Sequence, residues 1–435
     1  MPGPLTRPRV LLRARSALRS VLPGALLMTS LGLMPALSAN AAAEADEVTL
    51  TLPEGFSAIV FHPGVGKGAR HLAIRNNGDV LVSRQDGVLL ALRDEDRDGS
   101  AERTFERALA ITSGLQLHQD YVYFSDNVSV SRLRLDDGLL PGDDTQTIVS
   151  GFLEQGPHAT KDFAINPAGE LFVNVGAPSN ACQETDRKAG SPGQNPCPEL
   201  ERQAGIWLFP ADQQAQTQAD GERYLTGTRN IVALEWNEAT AALYFVMHGR
   251  DQLSFLWPEY FSDAESAELP AEEFHRALPG ADFGWPYSFV DPASGIRLQA
   301  PEYGGDGKTP APAGVYQSPL HAYPAHWAPN DLIFYSGSNF PARYQGGAFI
   351  AWRGSWNRSP APQDGYRITF QPMADGIPSG DPEDFMLGFA GPGPITRSSD
   401  ARYRPGGLAL DTAGRLYVSE TETGRIWRIS YGTQQ

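Results

Sequence analysis

The chain of 435 residues carries 51 acidic and 35 basic residues, which gives a formal net charge of −16. Nucleic-acid binding depends on lysine and arginine side chains that neutralise phosphates, so this balance argues against a nucleic-acid partner. Beyond residue 43 no segment is apolar for the ~20 residues that a membrane-spanning helix needs, and the length suits one large repeat fold or two domains.

The first 43 residues are predicted to form a secretory signal peptide. Several arginines lie between Arg7 and Arg19, an apolar run occupies 22–37, and small residues follow at 41–43. This order of charge, apolar run and small residues is typical of a cleaved export signal; a retained N-terminal anchor is the alternative. The sequence therefore predicts a periplasmic or secreted protein whose mature part, 44–435, is a single domain without a membrane span.

A strand–turn–strand pattern recurs along the mature chain and predicts an all-β fold. Each copy has an apolar run, a turn with Asn, Asp or Gly, and a second apolar run, while helical periodicity is scarce. The copies lie at 71–83, 114–125, 163–175, 231–246, 332–352 and 407–419. Six hairpins separated by long insertions are typical of propeller blades, so we expect a six-bladed β-propeller. A pair of β-sandwiches is the alternative, although sandwiches do not repeat one hairpin along the whole chain.

The segment after the first hairpin, Asp94-Glu-Asp-Arg-Asp98-Gly99, resembles the start of a calcium-binding loop. The twelfth position of such a loop normally holds a bidentate glutamate, and here it holds Phe105. A second calcium site and a solvated acidic hairpin both stay open at this point.

Two long insertions interrupt the repeats, at 176–203 and 258–317. The first contains Cys182 and Cys197, the two cysteines of the chain. In an oxidising compartment they predict a structural disulfide that closes a loop of ~15 residues and is worth up to about 3 kcal/mol. A metal or redox role is the weaker alternative, because the pair lacks C-x-x-C spacing and a nearby histidine. Both insertions are predicted to wall a substrate cleft, since long loops on a rigid scaffold are often functional.

Charged side chains lie at the ends of the repeats, where a propeller would bring them to one mouth of its axis. They are His158, Arg229-Asn230, His248-Gly-Arg-Asp251, Arg353 and Arg402-Tyr-Arg404. Guanidinium groups pair bidentately with carboxylates, so arginines that converge beside a histidine suit a polyanionic redox cofactor. No G-x-S-x-G, H-E-x-x-H, Walker or G-x-G-x-x-G motif is present, which leaves common hydrolase and nucleotide chemistries unsupported.

Taken in order, these motifs resemble those of the soluble sugar dehydrogenases that depend on pyrroloquinoline quinone (PQQ). The branch often labelled L-sorbosone dehydrogenase is the more similar one, and the resemblance covers nearly all of the mature chain. It rests on Pro157-His158 with the hairpin at 166–171, Thr228-Arg229-Asn230, His248-Gly-Arg-Asp251, Phe283-Gly-Trp-Pro286, Gly354-Ser-Trp-Asn-Arg358 and Arg402-Tyr-Arg404-Pro405. Each motif alone is weak, and their common order carries the resemblance.

The resemblance implies a PQQ- and Ca²⁺-dependent dehydrogenase that oxidises a sugar, a sugar aldehyde or a polyol. It implies that His158 is the general base, which takes the proton of the substrate hydroxyl while hydride passes to the quinone. It also implies that Arg229 lies beside the quinone oxygens, where a fixed cation stabilises the charge that develops on reduction.

The resemblance further implies which residues hold the cofactor and the metal. The residues for PQQ are Arg229, Asn230, Arg353, Arg402 and Arg404, and those for Ca²⁺, through backbone carbonyls, are Gly249 and Arg250. Two positions depart from the pattern: relatives often have Lys or His at the position of Arg353, and Gln or Glu at that of His248. The first departure leaves the geometry around the cofactor at Arg353 open, and the second leaves the role of His248 open.

Two functional alternatives remain beside the dehydrogenase. One is an extracytoplasmic propeller that binds a carbohydrate or a partner without redox activity. The other is a Ca²⁺-dependent lactonase, which would need a carboxylate-rich centre where these positions are mainly basic. The chain has no C-x-x-C-H haem motif, so an external electron acceptor is expected. The substrate itself is set by loops and is not written in the motifs.

Overall fold

The computed structural model describes residues 49–432, so the predicted signal peptide lies outside the described residues. Within 49–432 the chain forms six antiparallel sheets arranged as the blades of a β-propeller, which confirms the predicted fold. The first blade contains β2 (Ala69–Ile74), β3 (Val80–Arg84), β4 (Val88–Arg93) and β5 (Arg103–Ala108). The second contains β6 (Leu115–His118), β7 (Tyr121–Ser125), β8 (Val130–Arg134) and β9 (Gln146–Ser150), extended by the short parallel strand β13 (Gln216–Thr217).

The remaining blades follow in chain order, and each runs from an inner to an outer strand. The third contains β10 (Phe163–Ile165), β11 (Glu170–Val175), β12 (Gly205–Pro210) and β14 (Glu222–Thr226). The fourth contains β15 (Ile231–Asn237), β16 (Ala242–Met247), β17 (Glu272–Arg276) and β20 (His321–Tyr323). The fifth contains β21 (Pro329–Phe334), β22 (Ala348–Trp352), β23 (Arg367–Gln371) and β26 (Glu383–Met386), with a small hairpin of β24 (Met373–Ala374) and β25 (Ile377–Pro378).

The sixth blade joins the two ends of the described chain. Strands β27 (Pro405–Leu410), β28 (Leu416–Glu420) and β29 (Ile426–Tyr431) come from the C-terminal side, and β1 (Phe56–His62) supplies the fourth strand. Strand β1 pairs antiparallel with β29, so that Phe56 faces Tyr431 in the register. The first strand of the propeller therefore closes its last blade.

The second strand of most blades is buried on both faces, because neighbouring blades pack against both sides of a sheet. All six residues of β16 and all five of β22 and β28 are buried. This two-sided burial explains why these strands read as nearly continuous apolar runs instead of alternating patterns.

Both insertions were predicted to be loops, and this prediction holds for the first and not for the second. Residues 176–203 form a loop closed by the predicted disulfide, with 6.2 Å between the Cα atoms of Cys182 and Cys197. Residues 258–317 were expected to be wholly loop, and that is wrong, because they include β17, the third strand of the fourth blade. The apolar pattern missed β17 because its buried Glu272 and Glu273 are polar, and both accept hydrogen bonds inside the protein.

The rest of the second insertion adds short elements around β17. The helix α1 (Leu253–Leu256) lies just before the insertion, α2 (Asp263–Glu268) precedes β17 within it, and the hairpin of β18 (Ser288–Val290) and β19 (Arg297–Gln299) follows β17. Ser262 caps α2 by accepting a hydrogen bond from the backbone N–H of Glu265. Among residues 49–432 no helix is long and apolar enough to cross a membrane.

Candidate active site

The inner strands of the six blades surround an axial cavity of about 190 Å³. Its polar lining comes from His71, Asp162, Glu235 and Asp331, and the remainder is mostly apolar. The His71 imidazole lies between two carboxylates, with Nε2 3.2 Å from Asp162 and Nδ1 3.2 Å from Asp331. Burial alone would lower the pKa of His71, but Asp331 and Asp162 raise it to about 10. The axis therefore contains a buried imidazolium that links three blades.

His158 lies in the connection that leads to β10, the inner strand of the third blade. Its backbone has φ of 51°, a left-handed conformation that is uncommon outside glycine. The ring Nδ1 lies 2.6 Å from the carbonyl oxygen of Ala177. A carbonyl can only accept, so Nδ1 carries the hydrogen and Nε2 keeps its lone pair. Burial and the charge of Arg229 lower the pKa of His158 to about 3, which keeps the ring neutral.

Arg229 precedes β15 and is 4% exposed. Its Nη2 lies 2.8 Å from Asp251, and its Nη1 donates to the Gly249 carbonyl over 3.0 Å. Nε and Nη2 also donate to the backbone and side-chain oxygens of Asn180. Burial would raise the pKa of Asp251, but Arg229 and Arg187 hold it well below its ordinary value. A charged pair with further hydrogen bonds thus fixes the orientation of this guanidinium.

Asn230 and His158 meet at Gly176. A Cβ atom at Gly176 would lie 2.8 Å from the His158 Cβ and 2.9 Å from Asn230 Oδ1, so only glycine fits there. Asn230 Oδ1 is buried and has no hydrogen-bond partner among residues 49–432. A buried acceptor without a partner is rare in folded proteins.

The two predicted calcium-binding positions differ in their surroundings. The Gly249 carbonyl accepts from Arg229, and the Gly249 N–H donates to Glu272 over 2.8 Å. Burial raises the pKa of Glu272 to about 7. The Arg250 side chain is buried and forms an ion pair with Glu302. Two carboxylates thus lie around Gly249, Glu272 on its N–H and Asp251 on the guanidinium that donates to its carbonyl, although the sequence motifs there look basic.

A second group of cations, here called the arginine cluster, consists of Arg70, Arg353 and Arg404. Arg404 Nε donates to the Arg353 carbonyl over 3.1 Å, and Arg353 Nε donates to the hydroxyl of Thr421 over 3.0 Å. Burial and then the charges of Arg404 and Arg70 lower the pKa of Arg353. Glu422 lies 3.5 Å from Arg353 and 3.8 Å from Arg404. Arg353 and Arg404 therefore share the single carboxylate of Glu422, so positive charge is in excess beside it.

Arg70 lies between the two groups of site residues. Its charge lowers the pKa of Arg353 on one side and that of His248, next to Arg229, on the other. The Arg402 guanidinium lies 5.6 Å from the centre of the Tyr403 ring, and the Arg402 backbone N–H donates to the Ala390 carbonyl over 3.1 Å. Residues distant in sequence thus converge on the same end of the axis.

The chain matches the family model TrAA12-like over residues 50–290 and 305–432. It belongs to the TrAA12-like family. The predicted resemblance to the soluble PQQ-dependent sugar dehydrogenases is thereby confirmed at the level of the family and of the propeller fold, whereas the L-sorbosone branch stays a prediction.

Solved structures with the same fold include two fungal proteins. The calcium structure of the Trichoderma reesei carbohydrate-active enzyme family AA12 has a TM-score of 0.73 at 18% identity, over 90% of this chain and 100% of that one. The holo form of the pyranose dehydrogenase PQQ domain from Coprinopsis cinerea has a TM-score of 0.71 at 18% identity, over 88% and 98%. At this identity the similarity shows the fold alone.

A shorter match connects the chain to an uncharacterised protein of Borreliella burgdorferi. The two are 32% identical over 144 residues, which are 33% of this chain and 32% of that protein. The match spans about a third of that relative, so it adds nothing on activity.

Three residues of this TrAA12-like site were missed by the sequence analysis. The sequence does contain a signal that could have identified Arg70, because this residue directly precedes the first hairpin, as Arg229-Asn230 directly precedes the fourth. Asn180 lies inside an irregular insertion and Glu272 on an unrecognised strand, so no pattern singles them out.

The acidic loop of the first blade is compact in this TrAA12-like protein. One carboxylate oxygen from each of Asp94, Asp96, Asp98 and Glu102 lies within 4.8 Å of the others. The same carboxylates accept backbone N–H groups of the loop, such as Gly99 and Ser100. Phe105, where a calcium loop has its closing glutamate, lies on β5 and is 41% exposed.

Proposed function

We propose that this protein is an exported PQQ- and Ca²⁺-dependent dehydrogenase that oxidises a sugar, a sugar aldehyde or a polyol. The observation that carries the proposal is the pairing of a neutral imidazole with fixed cations. His158 has its Nδ1 hydrogen on the Ala177 carbonyl and its Nε2 free to accept a proton, beside the buried Arg229. A base next to a cation that can stabilise developing negative charge suits oxidation of a carbinol.

The donor groups at this end of the axis fit a polyanionic quinone. PQQ has carboxylate groups, and the arginine cluster offers three guanidinium groups, of which those of Arg353 and Arg404 share the single carboxylate of Glu422. Asn230 Oδ1 is a buried acceptor without a protein partner in the described part of the chain. We assign PQQ to Arg70, Arg229, Asn230, Arg353 and Arg404, with Arg402 as a further candidate. The holo form of the Coprinopsis cinerea PQQ domain supports PQQ as the proposed cofactor.

The surroundings of Gly249 fit a hard cation. Its carbonyl oxygen and the carboxylates of Asp251 and Glu272 are the oxygen ligands that Ca²⁺ prefers. We assign the metal to the carbonyls of Gly249 and Arg250, with Asp251 in support. The calcium structure of the Trichoderma reesei protein is consistent with this choice.

The residues of the chain would divide the chemistry among them, with bound PQQ supplying the hydride acceptor. His158 Nε2 would take the proton of the substrate hydroxyl, while its Nδ1–H stays on the Ala177 carbonyl and keeps the ring oriented. Arg229 would not need to move, because Asp251 and Asn180 already hold it, so no reorganisation is required as charge develops.

Export and electron transfer complete the proposal. The N-terminal 43 residues would direct the chain to the periplasm or the exterior, where the Cys182–Cys197 disulfide persists. Electrons would leave to an external acceptor, because the chain has no C-x-x-C-H haem motif. A substrate of the L-sorbosone type is one member of the proposed class.

The decisive experiment uses mature protein from a host that makes no PQQ. Dye reduction is followed over a panel of aldoses, sugar aldehydes and polyols, with PQQ and Ca²⁺ added separately and together. We expect turnover only when both are present, and its loss on chelation of calcium. Turnover without added PQQ would refute the proposal, and carbohydrate binding without any dye reduction would favour the non-redox propeller.

A further inference from the structure

We propose that residues 176–203, here called the disulfide loop, position both proposed catalytic residues, and that Asn180 is the central positioning residue. The inference rests on the proposed function and deepens it, since the sequence assigned this loop only to the wall of the cleft. It is supported by hydrogen bonds that residues at the beginning, in the middle and at the end of the loop make with His158, Arg229 and their neighbours.

Asn180 contacts the Arg229 guanidinium through two oxygens. Its backbone carbonyl accepts from Arg229 Nε over 3.3 Å, and its side-chain Oδ1 accepts from Nη2 over 3.1 Å. Asp251 accepts from the same Nη2 over 2.8 Å. The position of the guanidinium plane is therefore determined jointly by Asn180 and Asp251.

Asn180 is itself immobilised. It is 1% exposed, its Nδ2 donates to the Asp251 carbonyl over 3.0 Å, and its Oδ1 accepts from the Asp251 N–H over 2.9 Å. Its own N–H donates to Asp186 over 2.9 Å, and its carbonyl also accepts from Trp285 Nε1 over 3.0 Å. Each polar group of Asn180 is thus paired with a group that belongs to the site or to the loop. Such a fully paired buried amide defines a single arrangement.

The two ends of the disulfide loop hold His158. At the beginning, the Ala177 carbonyl accepts from His158 Nδ1, and the Ala177 N–H donates to the Arg229 carbonyl over 2.7 Å. At the end, Gln203 Nε2 donates to Gln155 Oε1 over 2.7 Å. Gln155 Nε2 in turn lies 2.9 Å from the His158 carbonyl and 3.0 Å from that of Gly176. One segment therefore fixes the tautomer of His158 and supports its left-handed backbone.

The disulfide gives the loop the rigidity that this role requires. The apolar cluster of the loop is small and consists mainly of Ala177, Cys182, Cys197, Ala204 and Trp285. Cys182 is two residues from Asn180, and both half-cystines are almost completely buried. Without the cross-link, little apolar packing would keep Asn180 against Arg229.

The test compares Asn180→Ala and Asn180→Asp with Asn237→Ala. Asn237 is a matched control, a buried asparagine at the far end of β15 that accepts one backbone hydrogen bond. In Asn180→Ala we expect kcat to fall at least tenfold. The Kd of PQQ for the cofactor-free protein, from tryptophan fluorescence, should rise at least fivefold. Asn180→Asp keeps the oxygen that accepts from Arg229 but loses the Nδ2 donor to the Asp251 carbonyl, so it should recover only part of the loss.

The disulfide is tested by Cys182→Ala/Cys197→Ala at a temperature where circular dichroism shows a folded propeller. We expect a rise in the Kd of PQQ and a fall in kcat similar to those of Asn180→Ala. If the Asn180→Ala and double-cysteine proteins both match Asn237→Ala in kcat and in Kd, the loop has no positioning role. If kcat falls in proportion to Tm in every variant, the role of the disulfide loop is structural only. Absence of PQQ-dependent turnover in the unaltered protein would instead refute the proposed function.

Discussion

His158 shows how the site is determined at the scale of single residues. Its φ of 51° is unfavourable for a residue with a side chain, and such conformations persist only where the surroundings enforce them. Here Gln155 enforces it through hydrogen bonds to neighbouring carbonyls, and Gly176 leaves the space that the turn needs. Strain of this kind is typical of functional sites, and it supports the role that we propose for His158.

Replacement of His158 by alanine tests that role directly. With the base removed, kcat should fall by about 10²–10⁴-fold, while PQQ still binds, because the arginines are unchanged. Steady-state dye reduction and PQQ titration measure the two effects. His321→Ala is the control, since this partly buried histidine lies on β20, an outer strand of its blade. Unchanged turnover in His158→Ala would exclude it as the base.

Arg70 offers a second test at this scale, because the sequence did not single it out. Its Nε is buried without a partner in the described residues, and its Nη1 donates to Asn330 over 2.8 Å. If it pairs with a PQQ carboxylate, Arg70→Ala should weaken PQQ binding by about tenfold to a hundredfold, the range for hydrogen bonds to charged groups. The exposed Arg103 on β5 is the control. Equal affinities in the two variants would remove Arg70 from the cofactor site.

Strand β1 is the element on which closure of the propeller depends. It is distant in sequence from its partner β29, and the ring of Phe56 packs edge-on against Phe340, Tyr344 and Phe385 at 4.8–5.3 Å. These rings belong to the fifth blade and its loops, so β1 joins two blades as well as the two ends of the described chain. Its contribution to stability should therefore be large for one strand.

Phe56→Ala is expected to lower the free energy of unfolding by about 2–3 kcal/mol, because a large, partly buried ring is lost. Denaturant unfolding of the cofactor-free protein measures this. Phe105→Ala provides the comparison: this ring is 41% exposed on the outer strand β5, so its removal should cost under about 0.5 kcal/mol. Similar losses in both proteins would show that β1 does not close the sixth blade.

At the scale of the whole molecule, the buried ion group at the axis connects distant blades. His71 comes from β2, Asp331 from β21, and Asp162 directly precedes β10, so the first, third and fifth blades meet there. Asp162 accepts further hydrogen bonds from Ser113 and Thr160, and Asp331 accepts from the Leu408 N–H. Removing the central cation would leave two buried carboxylates without their shared partner.

The axial ion group predicts a defined dependence of stability on pH. The pKa of His71 is raised from 6.5 to about 10 on folding, so its contribution is complete below pH 6.5 and is lost as the pH rises through about 10. His71→Asn should therefore be less stable than the unaltered protein at pH 6 by about 3 kcal/mol. The difference should shrink towards pH 10. Denaturant unfolding at several pH values measures it, and a constant difference would contradict the assignment.

The sequence determined the fold class, because six copies of one hairpin can bury their apolar faces only by packing on one another. It also determined the pairing of Cys182 with Cys197, since no other cysteine exists, and the family, through motifs such as Thr228-Arg229-Asn230. These features depend on local patterns or on counts, which a sequence displays directly. Strand β17 was missed because its two buried glutamates give it the polar sequence that is typical of a loop.

Only the tertiary structure decided which side chains meet. The tautomer of His158 follows from a carbonyl in the disulfide loop, and the orientation of Arg229 from Asn180 and Asp251. The lowered pKa of Arg353 follows from burial and from the charges of Arg404 and Arg70. Closure of a ring of blades brings together residues that are hundreds of positions apart. Hydrogen bonding and charge act over a few ångströms in space, so sequence distance alone cannot reveal these contacts.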